Sequence, residues 1–342
     1  MIEYGLILAG SMMTAISRTK SQPTEHLRPF DLNRDLNAVA NLVEQCFAET
    51  LDPDGRRYIQ HMRLAARNPR YLRWASLMAG SISMPLTGFV WEDNGFLAGN
   101  LSLIPFLRQG KRIYLIANVA VDPNYRRRGI ARSMTMAALD NLKKRGAKAV
   151  WLQVREDNPI ALNLYRSLGF QEQTRRTTWE VRERTSGYHL DEPELLLSGV
   201  RIIAREARFW PKQLAWLQAL YPPEVIWYFP FNLSLLRPGI WGSLMRLFHD
   251  APIRQWAAIR GDQLLGILAY NPAPNYADHL WLAAPPEYED TAVRTLLHHV
   301  RLHHNRRPLS IDFPAEHSVQ AFQETGFYIH QTLVWMEIKF RD

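Results

Sequence analysis

The run Val119 to Ala131, Val-Ala-Val-Asp-Pro-Asn-Tyr-Arg-Arg-Arg-Gly-Ile-Ala, constrains the fold more than any other part of the chain. The apolar stretch Ile113 to Val121 predicts a strand and Asp122-Pro123 a turn. The spacing of Ile130, Met134, Ala137, Ala138 and Leu142 predicts a helix that opens directly out of the loop. A helix that starts in this way presents free backbone N–H groups at its N-terminus, where an anion is stabilised. Arg126, Arg127, Arg128 and Arg132 add positive charge, while Gly129 and Ala131 let a phosphate approach the backbone without meeting a bulky side chain. Strand, basic loop and helix together predict a diphosphate cradle over residues 126–132.

Neither of the common nucleotide motifs is present. The chain contains no G-x-x-x-x-G-K-[ST] and no G-x-G-x-x-G, so a P-loop is excluded and a dinucleotide fingerprint is disfavoured. Arginine-rich turns are commonly just solvated surface, so the cradle needs a second signal. It lies downstream. Ala149-Val-Trp-Leu-Gln-Val154 predicts another strand, and Pro159 to Phe170 reads as a helix with Asn158 as its cap, Pro159 at its first position and Gly169 at its stop. Arg126-x-x-Gly129-x-Ala131, followed by Asn158-x-x-Ala161-x-x-Leu164-Tyr165-x-x-x-Gly169-Phe170, resembles the paired signatures of the GNAT superfamily of N-acetyltransferases.

That resemblance implies an α/β (α+β) fold in which a mixed, mostly antiparallel sheet is flanked by helices. It also implies acetyl-CoA as cosubstrate, without a metal. The strand containing Val119, Ala120 and Val121 is expected to offer backbone groups to the thioester oxygen and the pantetheine arm. Arg126, Arg127, Arg128, Gly129, Ile130, Ala131 and Arg132 are expected to hold the pyrophosphate. Asn158 is expected to hydrogen-bond the coenzyme near its thiol arm, and Tyr165 to protonate the departing thiolate. One position departs from the pattern. Members resembling the ribosomal-protein alanine acetyltransferases carry a glutamate as general base on the strand before the last helix. Gln153 stands there in this chain, and an amide accepts no proton at neutral pH. Glu156, Asp157 and Glu92 are the substitutes the sequence offers.

The flanks fit the same fold. Leu27 to Phe30 predicts a first strand, Asp35 to Phe47 a helix, and Gly88 to Leu107 a hairpin turning at Glu92 to Gly95. At 342 residues the chain exceeds one such module, and 47% hydrophobic content suffices for packed cores. After a polar stretch the order of elements returns. Arg254 to Ile259 and Leu264 to Tyr270 repeat the hairpin, Pro285-Pro-Glu-Tyr288 matches Asp122-Pro-Asn-Tyr125, and Phe322 to Phe327 echoes Tyr165 to Phe170. Aligned on the tyrosines, Arg126, Gly129 and Ala131 become Glu289, Ala292 and Arg294, and Tyr165 becomes Phe322. The expected organisation is a tail (1–24), a catalytic GNAT domain (25–182), a linker (183–199) and a degenerate GNAT-like domain (200–342). That pairing makes either a monomer with an intramolecular pseudo-dimer or a homodimer.

The acceptor, a small-molecule or peptide amine, is expected to meet a loop segment from Cys46 to Arg70 and the Pro-rich insert Tyr221 to Pro238. A single cysteine, Cys46, fits a reducing cytoplasm, and Gly5 to Gly10 is too short for a membrane span. A net charge of +8 permits a polyanionic partner, but the sharpest basic cluster is already accounted for by the coenzyme, so nucleic acid is disfavoured. His299 and His303, at i and i+4, lack a carboxylate or cysteine at metal-ligand spacing. Two other readings stay open at this level: an acyltransferase using another acyl donor, and a non-catalytic acyl-CoA-binding or protein-interaction module.

Overall fold

The computed structural model describes residues 26–68, 87–108, 111–182, 199–229, 233–239, 253–273, 276–304 and 307–340. The expected tail, and the expected linker apart from Gly199, lie outside them. The first half of the chain forms β1 (Leu27–Pro29), α1 (Leu32–Phe47), α2 (Pro53–Arg67), β2 (Thr87–Asp93), β3 (Phe96–Arg108), β4 (Lys111–Val121), α3 (Ile130–Lys144), β5 (Ala149–Arg155), α4 (Pro159–Ser167) and β6 (Gln171–Val181). The second forms β7 (Val200–Ala204), α5 (Trp210–Leu220), β8 (Arg254–Arg260), β9 (Gln263–Asn271), β10 (Asp278–Ala283), α6 (Glu289–His304), β11 (Leu309–Pro314), α7 (Val319–Glu324) and β12 (Tyr328–Lys339). From β2 to β6 and from β8 to β12 the order is the same, down to a 3₁₀ turn at Pro123–Tyr125 and its counterpart at Pro286–Tyr288.

Local chemistry explains the helices that frame the site. Asp31 accepts from the N–H groups of Asn33 and Arg34 to start α1, which buries Leu36, Val39, Ala40 and Val43 at helical spacing. In α2, Asp52 accepts from the Gly55 N–H at 2.6 Å and Pro53 takes the first position. This helix falls within the stretch expected to be a loop. Its apolar stripe, Ile59, Met62 and Ala65, is thin and interleaved with arginines, so its period is faint in the sequence.

The sheet is one continuous structure of twelve strands, in the order β1-β2-β3-β4-β5-β12-β6-β11-β10-β9-β8-β7. The final strand of each copy has changed sides. β12 pairs antiparallel with β5 from Leu333↔Arg155 to Lys339↔Ala149, and β6 pairs with β11 from Leu309↔Val181 to Pro314↔Arg176. Each copy therefore completes the sheet of the other, and the core is continuous across the junction. Trp179 stacks on Phe322 at 4.6 Å, and buried Arg176 pairs with Asp312 while lying over the Tyr221 ring at 5.0 Å. The fold class is thus the expected α+β arrangement, with two copies fused into a single sheet rather than abutting as two.

Candidate active site

β4 and β5 run parallel and are paired only at Tyr114↔Val150, Leu115↔Trp151 and Ile116↔Leu152. Beyond Ile116 they diverge, and a cleft of about 620 Å³ opens along the split. The divergence has a local cause. Asn118 sits at a φ of +50° next to a register break between β3 and β4, and a bulge of this kind bends a strand away from its neighbour. Two side-chain bonds hold the bend: Asn100 Nδ2 donates to the Asn118 carbonyl at 2.9 Å, and Asn118 Nδ2 donates to the Tyr58 hydroxyl at 3.0 Å. Burial pushes the Tyr58 phenol up to about 12, so it stays protonated.

Three of the residues expected to act together are brought to this split, and residues 126–132 are not among its lining. Val119, Asn158 and Tyr165 line the cleft. Ala120 instead packs with the α1 and α2 core, and the Val121 carbonyl accepts from Arg126 Nε at 3.2 Å. Backbone on the β5-facing edge of β4 past Ile116 has no strand partner, which leaves it available to a ligand. At the end of β4, Arg127 and Gly129 adopt φ of +62° and +79°, curling the loop so that successive N–H groups converge. No side chain caps α3 at Gly129, and a Cβ placed there would meet nothing within 4 Å. The space above this helix N-terminus is open. Arg128 donates to the Asn124 carbonyl and stacks over Tyr125, and Arg132 bonds Ser167. Arg127 makes no hydrogen bond or ion pair among the described residues and is exposed. Ile130 is buried beneath the helix start, where strand residue Gly99 leaves it room.

Tyr165 is 6% exposed on α4, and its hydroxyl has no hydrogen-bond partner among the described residues. Burial raises its pKa above the ordinary tyrosine value, so it remains a proton donor at neutral pH. Asn158 caps α4, accepting from the Ala161 N–H at 3.1 Å. Gln153 lines the cleft on β5, and its buried Nε2 has no partner. The three carboxylates offered as bases are elsewhere. Glu156 pairs with Arg175 at 2.7 Å, Asp157 with Arg155 at 2.7 Å, and Glu92 with Arg28 and Arg34 on the outer side of β2; none of them lines the cleft.

The far wall comes from both copies. α1, α2 and the turn between them contribute Phe47, Tyr58 and Leu51, β12 contributes Gln331 and Leu333, and the Pro-rich insert contributes Tyr228. The neighbouring Trp227 packs edge-on against Trp151 and Trp335, anchoring the insert to the sheet. The β12 residues were invisible to motif reasoning, because they reach the site only through strand exchange. Among the described residues no group of three or more histidine, cysteine, aspartate or glutamate side chains could hold a metal ion, and no helix is long and apolar enough to cross a membrane.

Residues 38–170 match the model of the acetyltransferase (GNAT) family. The chain is 47% identical over 62 residues to the [Ribosomal protein bS18]-alanine N-acetyltransferase of Escherichia coli K12, covering 18% of this chain and 42% of that protein. It is 36% identical over 87 residues to N-alpha-acetyltransferase 30 of Schizosaccharomyces pombe, covering 25% and 58%. The match thus spans less than half the length of the bacterial relative. Over nearly its whole length the chain shares its fold with a GCN5-related N-acetyltransferase from Sphaerobacter thermophilus, with a TM-score of 0.59, 12% identity and coverage of 94% and 98% of the two chains.

Proposed function

We propose that this chain is an acetyl-CoA-dependent N-acetyltransferase that transfers the acetyl group directly to a primary amine of a peptide or small molecule. The observation that carries the reading is that β4, whose split from β5 is lined by Tyr165 with its unpartnered hydroxyl, runs on through one short loop into the uncapped N-terminus of α3. The converging N–H groups of residues 127–132 take the pyrophosphate, with Arg127 as its free cation. The unpaired edge of β4 binds the pantetheine arm and stabilises the thioester oxygen as it becomes an oxyanion. Holding both substrates in one cleft makes attack effectively unimolecular. As the C–S bond breaks, Tyr165 gives its proton to the thiolate. The E. coli relative is named for a protein alanine, so peptides with a free N-terminal amine head the acceptor panel.

The second copy binds no coenzyme in this reading. Calorimetric titration of acetyl-CoA into wild type, Gly129→Glu and Arg294→Gly tests the assignment. One site per chain, abolished by Gly129→Glu and retained in Arg294→Gly, is expected. No binding to wild type would leave a scaffold, and two sites would mean a second functional cradle.

A further inference from the structure

Resting on that reading, we propose that the second copy supplies the proton acceptor of the first: His330 of β12, held at the rim of the cleft by Asp52 and Glu180, takes the proton from the incoming ammonium group. Among the described residues that line the cleft there is no carboxylate and no histidine, and the position expected to carry the base is Gln153. An amine that arrives protonated has no lone pair for the thioester, so a group at the acceptor end has to remove a proton.

His330 is placed there by a defect in the exchanged strand. Between Ile329 and Gln331 the pairing of β12 with β6 slips: Ile329 faces Trp179, while Gln331 already faces Thr178. His330 is the extra residue of this bulge, and bulges re-aim a side chain out of the regular alternation. Its neighbour Gln331 lines the cleft. Its Nε2 lies 3.5 Å from Asp52, the cap of α2, and Asp52 stands between the lining residues Leu51 and Gly55. On the other side, Nδ1 lies 3.7 Å from Glu180 of β6. The ring is 21% exposed and has a carboxylate at each nitrogen.

The two carboxylates have different tasks. Glu180 favours the tautomer with its proton on Nδ1, which leaves the Nε2 lone pair on the side of Asp52. Asp52 draws a cationic amine to that same nitrogen. Together they raise the affinity of the imidazole for a proton, with the Asp52 contact the largest cause, while the nearby Arg155 charge opposes them. A base shifted upwards in this way accepts from an ammonium group more readily than an isolated imidazole does.

The step balances as follows. One ammonium N–H bond breaks and its proton goes to His330 Nε2. The freed nitrogen lone pair forms the C–N bond, and the C–S bond breaks on collapse. Tyr165 protonates the sulfur and recovers a proton from the acetylated nitrogen, and His330 returns its own to solvent. Acetyl-CoA and the ammonium form of the amine go in; the amide, free coenzyme A and one proton come out.

The test uses the full chain with acetyl-CoA and a panel of short peptides bearing free N-terminal amines, alongside simple alkyl amines. His330→Gln is expected to lower kcat/KM at pH 7 by about a hundredfold while leaving acetyl-CoA affinity, measured by calorimetry, within twofold. Glu180→Gln, which leaves the Asp52 contact intact, is expected to move the acidic limb of the pH–rate profile to lower pH, because the imidazole loses one of the charges that hold its proton. A purely structural role for His330 would not move that limb. Unchanged kcat/KM in His330→Gln, or an unmoved limb in Glu180→Gln, would overturn the proposal and leave the transferase reading standing. Wild type that binds acetyl-CoA but acetylates no amine of the panel would also count against it, since the base would then have no proton to take. Failure of wild type to bind acetyl-CoA would instead sink the underlying reading.

Discussion

The chain holds two versions of one device, a helix N-terminus at the end of a splayed strand pair, and they differ in what fills them. At α3 the cradle is open and positive: Gly129 is left-handed and uncapped, and Arg127 is free among the described residues. At α6 the anion is built in. Glu289 stands where Arg126 stands in the first copy, and it accepts from Ser318 Oγ at 3.0 Å and from His317 Nδ1 at 3.2 Å. The splits behind the helices differ in the same sense. β4 and β5 diverge around a cleft, whereas β10 and β11, paired only at Asp278↔Leu309 and His279↔Ser310, diverge around side chains. There Tyr221 donates to the Asp312 carbonyl at 3.0 Å, Arg176 pairs with the Asp312 carboxylate, and Tyr221 packs on Trp281. By strand register Asp312 is the counterpart of Gln153, so the second copy keeps a carboxylate there but engages it in a buried ion pair. A shared fold thus carries an open cleft in one half and a packed core in the other.

The sharpest way to break this comparison is to charge the open cradle. Gly129→Glu adds a carboxylate where the pyrophosphate would sit and strains a left-handed backbone by about 1 kcal/mol. Acetyl-CoA binding should become undetectable by calorimetry, while Arg294→Gly in the other cradle should leave it unchanged. Retained affinity in the first variant would mean that the anion lies elsewhere. Next in size is Tyr165→Phe, which copies the Phe322 of the second half. It removes only the unpartnered hydroxyl, so kcat should fall about a hundredfold with acetyl-CoA affinity unaltered.

Much of the first copy was legible because its determinants are contiguous. Strand, Arg126 to Arg132, and Asn158 to Phe170 lie in order along the chain, and each motif carries its own local geometry: a left-handed Gly129, an Asn158 cap, a Pro159 start. The second copy was legible at the level of element order, and Glu289 was visible as a reversal of charge. What was not legible is what depends on distant contacts. The exchange of β6 and β12 follows from which hydrophobic edges meet, and no local pattern encodes that. The same is true of His330, whose neighbours Asp52 and Glu180 lie far away in the chain, and of Gln331 and Leu333 in the cleft wall. α2 was missed for a different reason, its stripe of Ile59, Met62 and Ala65 being diluted by arginines.

The built-in anion of the second cradle can be tested by removing it. Glu289→Ala loses charged hydrogen bonds to Ser318 and His317 in a site where Glu289 is 8% exposed. It should destabilise the chain by about 1.5–3 kcal/mol in denaturant unfolding. It should not create a second acetyl-CoA site, because Ala292 and Arg294 still stand at the Gly129 and Ala131 positions. If calorimetry then showed two sites per chain, Glu289 alone would be what distinguishes the halves.

The smallest expected effect lies where the halves meet. The Asp52 carboxyl is held below its ordinary range, first by the His330 contact, and His330 is held above its own, first by Asp52. The signs run in opposite directions. A raised histidine stabilises the fold fully below its unfolded pKa of about 6.5 and loses that contribution as pH rises through the higher folded value. A lowered aspartate loses its contribution as pH falls below the carboxylate range. The contact therefore stabilises the junction most between those limits. Both side chains are partly exposed, 35% for Asp52 and 21% for His330, so screening holds the gain to about 0.2–1 kcal/mol. Thermal unfolding of wild type minus His330→Gln, followed from pH 5 to pH 9, should show a difference that is largest on the acidic side and fades above neutrality. A difference that grows with pH would mean that His330 is held neutral in the fold, and that the two copies are not joined by charge at this point.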